Sequence, residues 1–210
     1  GSLAGCGASD SDGGLGGLGG NGGGFGQGGG GGNGGGGGAG GTPPEVELES
    51  SYGAPVATGK FVWIANPASG RVAYIDAASL EIKVVEAGNG PTFIAPVPHP
   101  TDDVALVLNV LSSDATLFRA KGSSLTAQTF AVPSSGNGWA VSNDGHFAIA
   151  WTDSRLVEAA DPIDGFQDVT VLDLQKEGGQ ATPLNVGYRP VAMGFDTEGK
   201  RAFAVTQDGI

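Results

Sequence analysis

Apolar residues in this chain gather in short runs, and the runs recur. Phe61-Val-Trp-Ile-Ala-Asn66, Val104-Ala-Leu-Val-Leu-Asn109, Phe147-Ala-Ile-Ala-Trp-Thr152 and Ala202-Phe-Ala-Val-Thr206 each read as a strand. Their last residues lie 43, 43 and 54 positions apart. Acidic turns precede the last three, at Asp102-Asp103, Asp144-Gly145 and Glu198-Gly199. Further upstream stand Gly90-Pro91, Gly136-Asn-Gly138-Trp139 and Gly187-Tyr-Arg-Pro190. A second apolar run follows each strand, as in Val72-Ala-Tyr-Ile75-Asp76, Thr116-Leu-Phe118-Arg119 and Val169-Thr-Val-Leu172-Asp173. A third comes after it, at Ile82–Val85, Ala127–Val132 and Ala181–Val186.

Each unit therefore predicts four short strands separated by turns, with little helical periodicity. A period in the low forties with four strands per unit is the pattern of a β-propeller blade. A sandwich would give short strands too, but it would not repeat its turn chemistry at that period. The expected fold is all-β, with about three and a half blades at 52–88, 89–135, 136–187 and 188–210. A full ring holds about four to eight, and the expectation here is about six to eight. The chain thus reads as a piece whose C-terminal blades are missing. Trp63, Trp139 and Trp151 fall on the strands, where packing between blades accounts for them.

Phe61–Asn66 with Arg71-Val-Ala-Tyr-Ile-Asp76, then Gly88-Asn-Gly-Pro91, resembles the YVTN-type repeat of surface-layer and secreted bacterial proteins. The Asp of the second strand is replaced in the middle unit by Arg119. The resemblance spans residues 52–210 and implies a propeller. Its repeat positions are structural: Gly permits the turn, Pro sets its start, and Asp caps the amides that follow.

The stretch 1–41 changes the picture. It holds 25 of the 41 glycines, leaving 16 for all the rest of the chain. Gly loses the most backbone entropy on ordering, so 7–44 is expected to be a disordered linker. About 30 such residues reach roughly 30 Å. Just before it, Leu3-Ala4-Gly5-Cys6 resembles a bacterial lipoprotein lipobox, which implies lipidation of Cys6 and makes residues 1–6 a signal-peptide remnant. Gly7 after that Cys, rather than Asp, implies the outer membrane; the other expectation is secretion.

Net charge is −12, from 22 acids against 10 bases. That balance repels phosphate backbones, so nucleic acid is excluded as a partner. No run reaches the length of apolar residues that a membrane helix needs.

The third unit, 136–187, is longer than the others, and the excess falls between Thr152 and Val169. Insertions into a repeat map to loops on one face, often the binding face. Asp153, Arg155, Glu158, Asp161, Asp164 and Asp168 make this the candidate binding loop. Its carboxylates, Asp161, Asp164 and Asp168 above all, are the weak candidates for calcium. Their spacing fails an EF-hand, so the expectation is a mobile acidic loop with no tight metal and no cofactor. His99 and His146 are expected to be exposed on turns, and no catalytic residues stand out.

The reading that follows is a cell-envelope lipoprotein displaying a propeller as a binding or scaffolding module. Its membrane contact is the lipid on Cys6, and its partner is an envelope protein or glycan. The alternatives are a propeller enzyme, either a lactonase-like hydrolase or a cofactor-dependent redox protein, and a structural surface-layer component.

Overall fold

The computed structural model describes residues 53–157, 165–176 and 178–207. They belong to the compact unit Glu47–Ile210. Cys6, the Gly-rich stretch, Glu158, Asp161 and Asp164 lie outside the described residues.

Every element among the described residues is a strand. The first sheet runs β1 (Val56–Ala57), β2 (Phe61–Asn66), β3 (Arg71–Asp76) and β4 (Ile82–Glu86), in that spatial order. The second runs β5 (Pro91–Val97), β6 (Asp103–Asn109), β7 (Asp114–Lys121) and β8 (Ser124–Ala131). The third contains β9 (Gly138–Val141), β10 (Phe147–Trp151), β11 (Asp168–Asp173) and β12 (Gln180–Asn185). The last is a pair, β13 (Pro190–Phe195) with β14 (Ala202–Thr206). All pairings are antiparallel between chain neighbours, so each sheet is a meander arranged as a propeller blade.

The core lies between sheets, and this explains the sequence pattern. Val104, Leu106 and Leu108 of β6 pack with Ala148, Ala150 and Leu172 of the third sheet. The alternate residues Ala105 and Val107 pack with Phe61, Trp63 and Val72 of the first sheet. Since neighbours cover both faces, β6 is buried from Val104 to Asn109, and its sequence is an unbroken apolar run. Among the described residues strand β2 has one neighbouring sheet, and it alternates instead: Phe61, Trp63 and Ala65 are buried, while Val62 and Ile64 are partly covered. A third cluster joins Ile149, Trp151 and Val169 to Met193 and Phe195 of the last sheet.

The tryptophans act between blades, as expected. Trp63 is fully buried and stacks on Tyr74 of its own sheet and on Phe118 of the next, with centroids 5.2 and 6.0 Å away. Trp139 Nε1 donates to the Phe93 carbonyl of the second sheet at 3.1 Å.

The acidic turn residues cap amides where the repeat retains them. Asp76 accepts from the Ala78 and Ser79 amides at 2.9 and 3.0 Å, and Asp173 accepts from Gln175 and Lys176 at 3.1 Å each. Lys60 reaches Asp76 at 2.7 Å, and with those amides it holds the carboxyl well below the usual carboxylate range.

Arg119 replaces that Asp in the second sheet and corrects one expectation. His146 is exposed on its turn. His99 is not: its side chain is 19% exposed, because the Arg119 side chain folds back over it. Arg119 Nη1 lies 2.8 Å from His99 Nε2 and 3.5 Å from Asp102 Oδ2. His99 Nδ1 accepts the Asp102 amide at 2.9 Å. The contact joins the β5–β6 turn to β7, a strand well beyond it in sequence, so the turn itself gives no sign of it.

Candidate loop-face site

The long β10–β11 connection leaves the third sheet at Thr152 and returns at Asp168, and both of its stems are built into the fold. Thr152 and Asp153 are buried, with the Thr152 hydroxyl 2.9 Å from that of Ser135. Asn137, in the turn before β9, clamps the backbone from both sides. The Asp153 amide donates to Asn137 Oδ1 at 2.6 Å, and Asn137 Nδ2 donates to the Asp153 carbonyl at 3.1 Å. Ser154 N–H points to the Pro190 carbonyl at 3.4 Å, tying this stem to the start of β13.

The Asp153 carboxylate receives a fork from Arg155, with Nε at 2.9 Å and Nη2 at 2.6 Å. The Arg155 guanidinium, together with its amide, holds the Asp153 carboxyl below the usual carboxylate range. A depressed folded value means that this pairing stabilises the fold above about pH 4 and is lost as acid protonates the group. Asp153→Asn should therefore lower the melting temperature at pH 7, and the gap to the wild type should shrink as the pH falls below about 4. Thermal melts by circular dichroism across that range check the convergence; a constant gap would show that the carboxylate's charge plays no part.

At the other stem, Asp168 accepts from Asn185 Nδ2 at 3.0 Å, and its amide closes a turn onto the Gly165 carbonyl at 2.9 Å. Asp168 also rims an apolar groove of about 500 Å³ between β8 and the outer strands of the third sheet, walled by Val132, Pro133, Val169 and Leu184. Asp153 and Arg155 are thus brought together, while Asp168 has its own partner. Glu158, Asp161 and Asp164 fall outside the described residues. Among the described residues no group of three metal-ligating side chains is assembled.

The structure adds a cluster that the sequence reading passed over as a turn. In Gly187-Tyr-Arg-Pro190, the Arg189 guanidinium lies 5.1 Å from the Phe166 ring centre and 5.4 Å from that of Tyr188. Arg189 has a φ of 48°, in the left-handed region. Its Nε is buried with no hydrogen-bond partner. The available signal was alignment of this turn with Gly88-Asn-Gly-Pro91, where the matching residue is Gly90.

Blade-like meander sheets packed face to face define a β-propeller protein. No protein-family model and no curated protein matches the sequence. Among solved structures, the chain is similar to a candidate 6-phosphogluconolactonase of Bacteroides fragilis, with 16% identity and a TM-score of 0.51 over 75% of this chain and 48% of that one. It is similar also to a candidate 6-phosphogluconolactonase of Bacteroides uniformis, at 18% identity and a TM-score of 0.49 over 75% and 48% of the two chains. A streptogramin B lyase aligns at 12% identity and a TM-score of 0.49, over 76% and 52%. The chain spans about half the length of these structures, and the likeness to the Bacteroides fragilis structure supports the fold alone.

Proposed function

We propose that this chain is a cell-envelope lipoprotein that displays a β-propeller on a Gly-rich tether as a binding module. The lipid is carried by Cys6, in Leu3-Ala4-Gly5-Cys6, and the tether lifts the propeller from the membrane surface. The observation that carries the binding role is the long β10–β11 loop. It is longer than its counterparts in the other units, yet both stems are fixed, by Asn137 with Asp153 and by Asn185 with Asp168. A long acidic connection on rigid stems is how a scaffold presents a recognition loop.

The full-length precursor, labelled with radioactive palmitate in a lipoprotein-processing bacterium, should carry the label and sediment with membranes. Cys6→Ser should lose the label and most of the membrane fraction. An unlabelled wild type, or a Cys6→Ser variant that stays equally membrane-bound, overturns the anchor. Turnover of sugar lactones by the purified protein would replace the binding role with the hydrolase alternative.

A further inference from the structure

We infer that Arg189, set between Phe166 and Tyr188 on the loop face, anchors a binding site for a monocarboxylate that carries a flat apolar face, as an acidic sugar or an aromatic acid does. The inference rests on the reading of this face as the contact surface, and it names the ligand class.

The repeat itself supplies the first argument. Gly90 and Arg189 occupy the same place in two blades. Each precedes a proline that opens the innermost strand, and each strand has a register irregularity just after that proline, between Pro91 and Phe93 and between Pro190 and Ala192. The Gly90 carbonyl accepts the Val110 amide at 3.0 Å, and the Arg189 carbonyl accepts the Gln207 amide at 3.2 Å. Both residues are left-handed, with φ of 65° and 48°. Gly adopts this conformation without steric cost, whereas an L-residue is strained there, the more so before proline. The turn alone would be served by Gly, as it is in the second sheet. What Arg adds is its side chain, and strain of this kind concentrates where a side chain has work to do.

The second argument is charge. Arg155 is forked by Asp153, Arg71 pairs with Glu86 at 2.7 Å, and Arg119 meets Asp102. Among the described residues neither Arg189 nor Arg201 has a carboxylate partner, although acids outnumber bases 22 to 10 in the chain, and of these two Arg189 is the one that lies against aromatic rings. Its guanidinium lies against the two rings and its Nε is buried, so the Nη1–Nη2 edge is the one to receive a carboxylate by a two-bond fork.

The third argument selects among anions. The loop sequence is rich in Asp and Glu, and the net charge of −12 opposes any anion in proportion to its charge. A dianionic phosphate meets twice the repulsion of a carboxylate. Tyr188 is 56% exposed, which puts an aromatic side chain at the surface beside the bound carboxylate, where a flat apolar group can pack.

Saturation-transfer NMR on the full chain tests this with sodium glucuronate and sodium benzoate as the two arms, and with glucose, acetate and inorganic phosphate as comparisons. Glucuronate or benzoate should bind with a dissociation constant on the order of 1 mM, as befits a ligand of about a dozen heavy atoms, and tighter than any comparison. The arm that binds better identifies the source. Arg189→Lys should weaken binding about tenfold, because an ammonium cannot form the fork. Arg189→Gly should abolish it while raising the melting temperature by about 2–4 °C, through relief of the strained turn. That opposition of signs separates a ligand anchor from a packing residue. A lower melting temperature for Arg189→Gly, unchanged binding by it, stronger binding of phosphate, or no transfer to either carboxylate overturns the assignment. These results are independent of palmitate labelling at Cys6, so the site and the anchor fail separately.

Discussion

Gly145→Ala should strip the chain of most of its stability, while Gly122→Ala leaves it nearly intact. Both glycines are left-handed, with φ of 68° and 59°. An L-residue in that conformation costs about 1–2 kcal/mol at either position. The surroundings decide the rest. A Cβ on Gly122 meets nothing within 4 Å, whereas one on Gly145 would stand 1.9 Å from the Pro98 carbonyl oxygen and 3.3 Å from Val97 Cγ1. Ordinary carbon–oxygen contacts are about 3.3–3.6 Å. The obstacle is backbone, in the β5–β6 turn of the neighbouring sheet, and cannot swing aside as a side chain can. The second and third sheets must separate at this end, loosening the shared cluster of Leu106, Leu108, Ala148 and Leu172. Partial exposure of two or three such side chains adds several kcal/mol, at roughly 1.5–3 kcal/mol for each fully uncovered. Against a domain margin of about 5–15 kcal/mol, that is a large share. Urea unfolding should show a much lower midpoint for Gly145→Ala and a shift of about 1 kcal/mol for Gly122→Ala. Equal shifts would mean that strain alone matters and the blade contact yields freely.

The strands that repeat were legible because their burial is repeated. Phe61–Asn66, Val104–Asn109 and Phe147–Thr152 are the second strand of successive sheets, and each ends at the same turn. The innermost strands were harder to read. Pro91-Thr-Phe-Ile-Ala-Pro-Val97 carries two prolines, which weaken a strand pattern, yet both are accommodated, Pro91 at the strand start and Pro96 near its end. The turn signal at Gly90-Pro91 was visible while the strand it opens was not. The site was legible only at its stems. Asp153 and Arg155 are near neighbours in the chain, and the sequence placed both in the long loop. Arg119 over His99 and Arg189 between Phe166 and Tyr188 join different elements, so no local pattern announces them. Only the alignment of one blade with another, Gly90 against Arg189, exposes the second as a residue out of place.

The isolated chain should associate with itself through the outer faces of its first and last sheets. In the second and third sheets both faces are covered by a neighbour. In the first, Val62, Ile75 and Ile82 lie side by side in register, as do Ile64, Ala73 and Val84, on the face turned away from the second sheet. Ile82 and Val84 are 65% and 59% exposed there. In the last sheet, Phe203 and Val205 point away from the third sheet and are 51% and 37% exposed. These are two apolar faces of sheet type, one at each end of the arc, and each is the kind of surface that a blade covers inside the molecule. Covering them between copies removes apolar area from water. Such association is sequence-tolerant but requires apolar contact. Ile82→Lys combined with Phe203→Glu should raise the monomer fraction in sedimentation velocity at tens of micromolar. Leu111→Lys makes the comparison fair, because Leu111 is 77% exposed on a turn, off both sheet faces, and its replacement should change nothing. A wild-type chain that sediments as a monomer and melts in one sharp transition above about 50 °C would show that the open faces are tolerated without a partner.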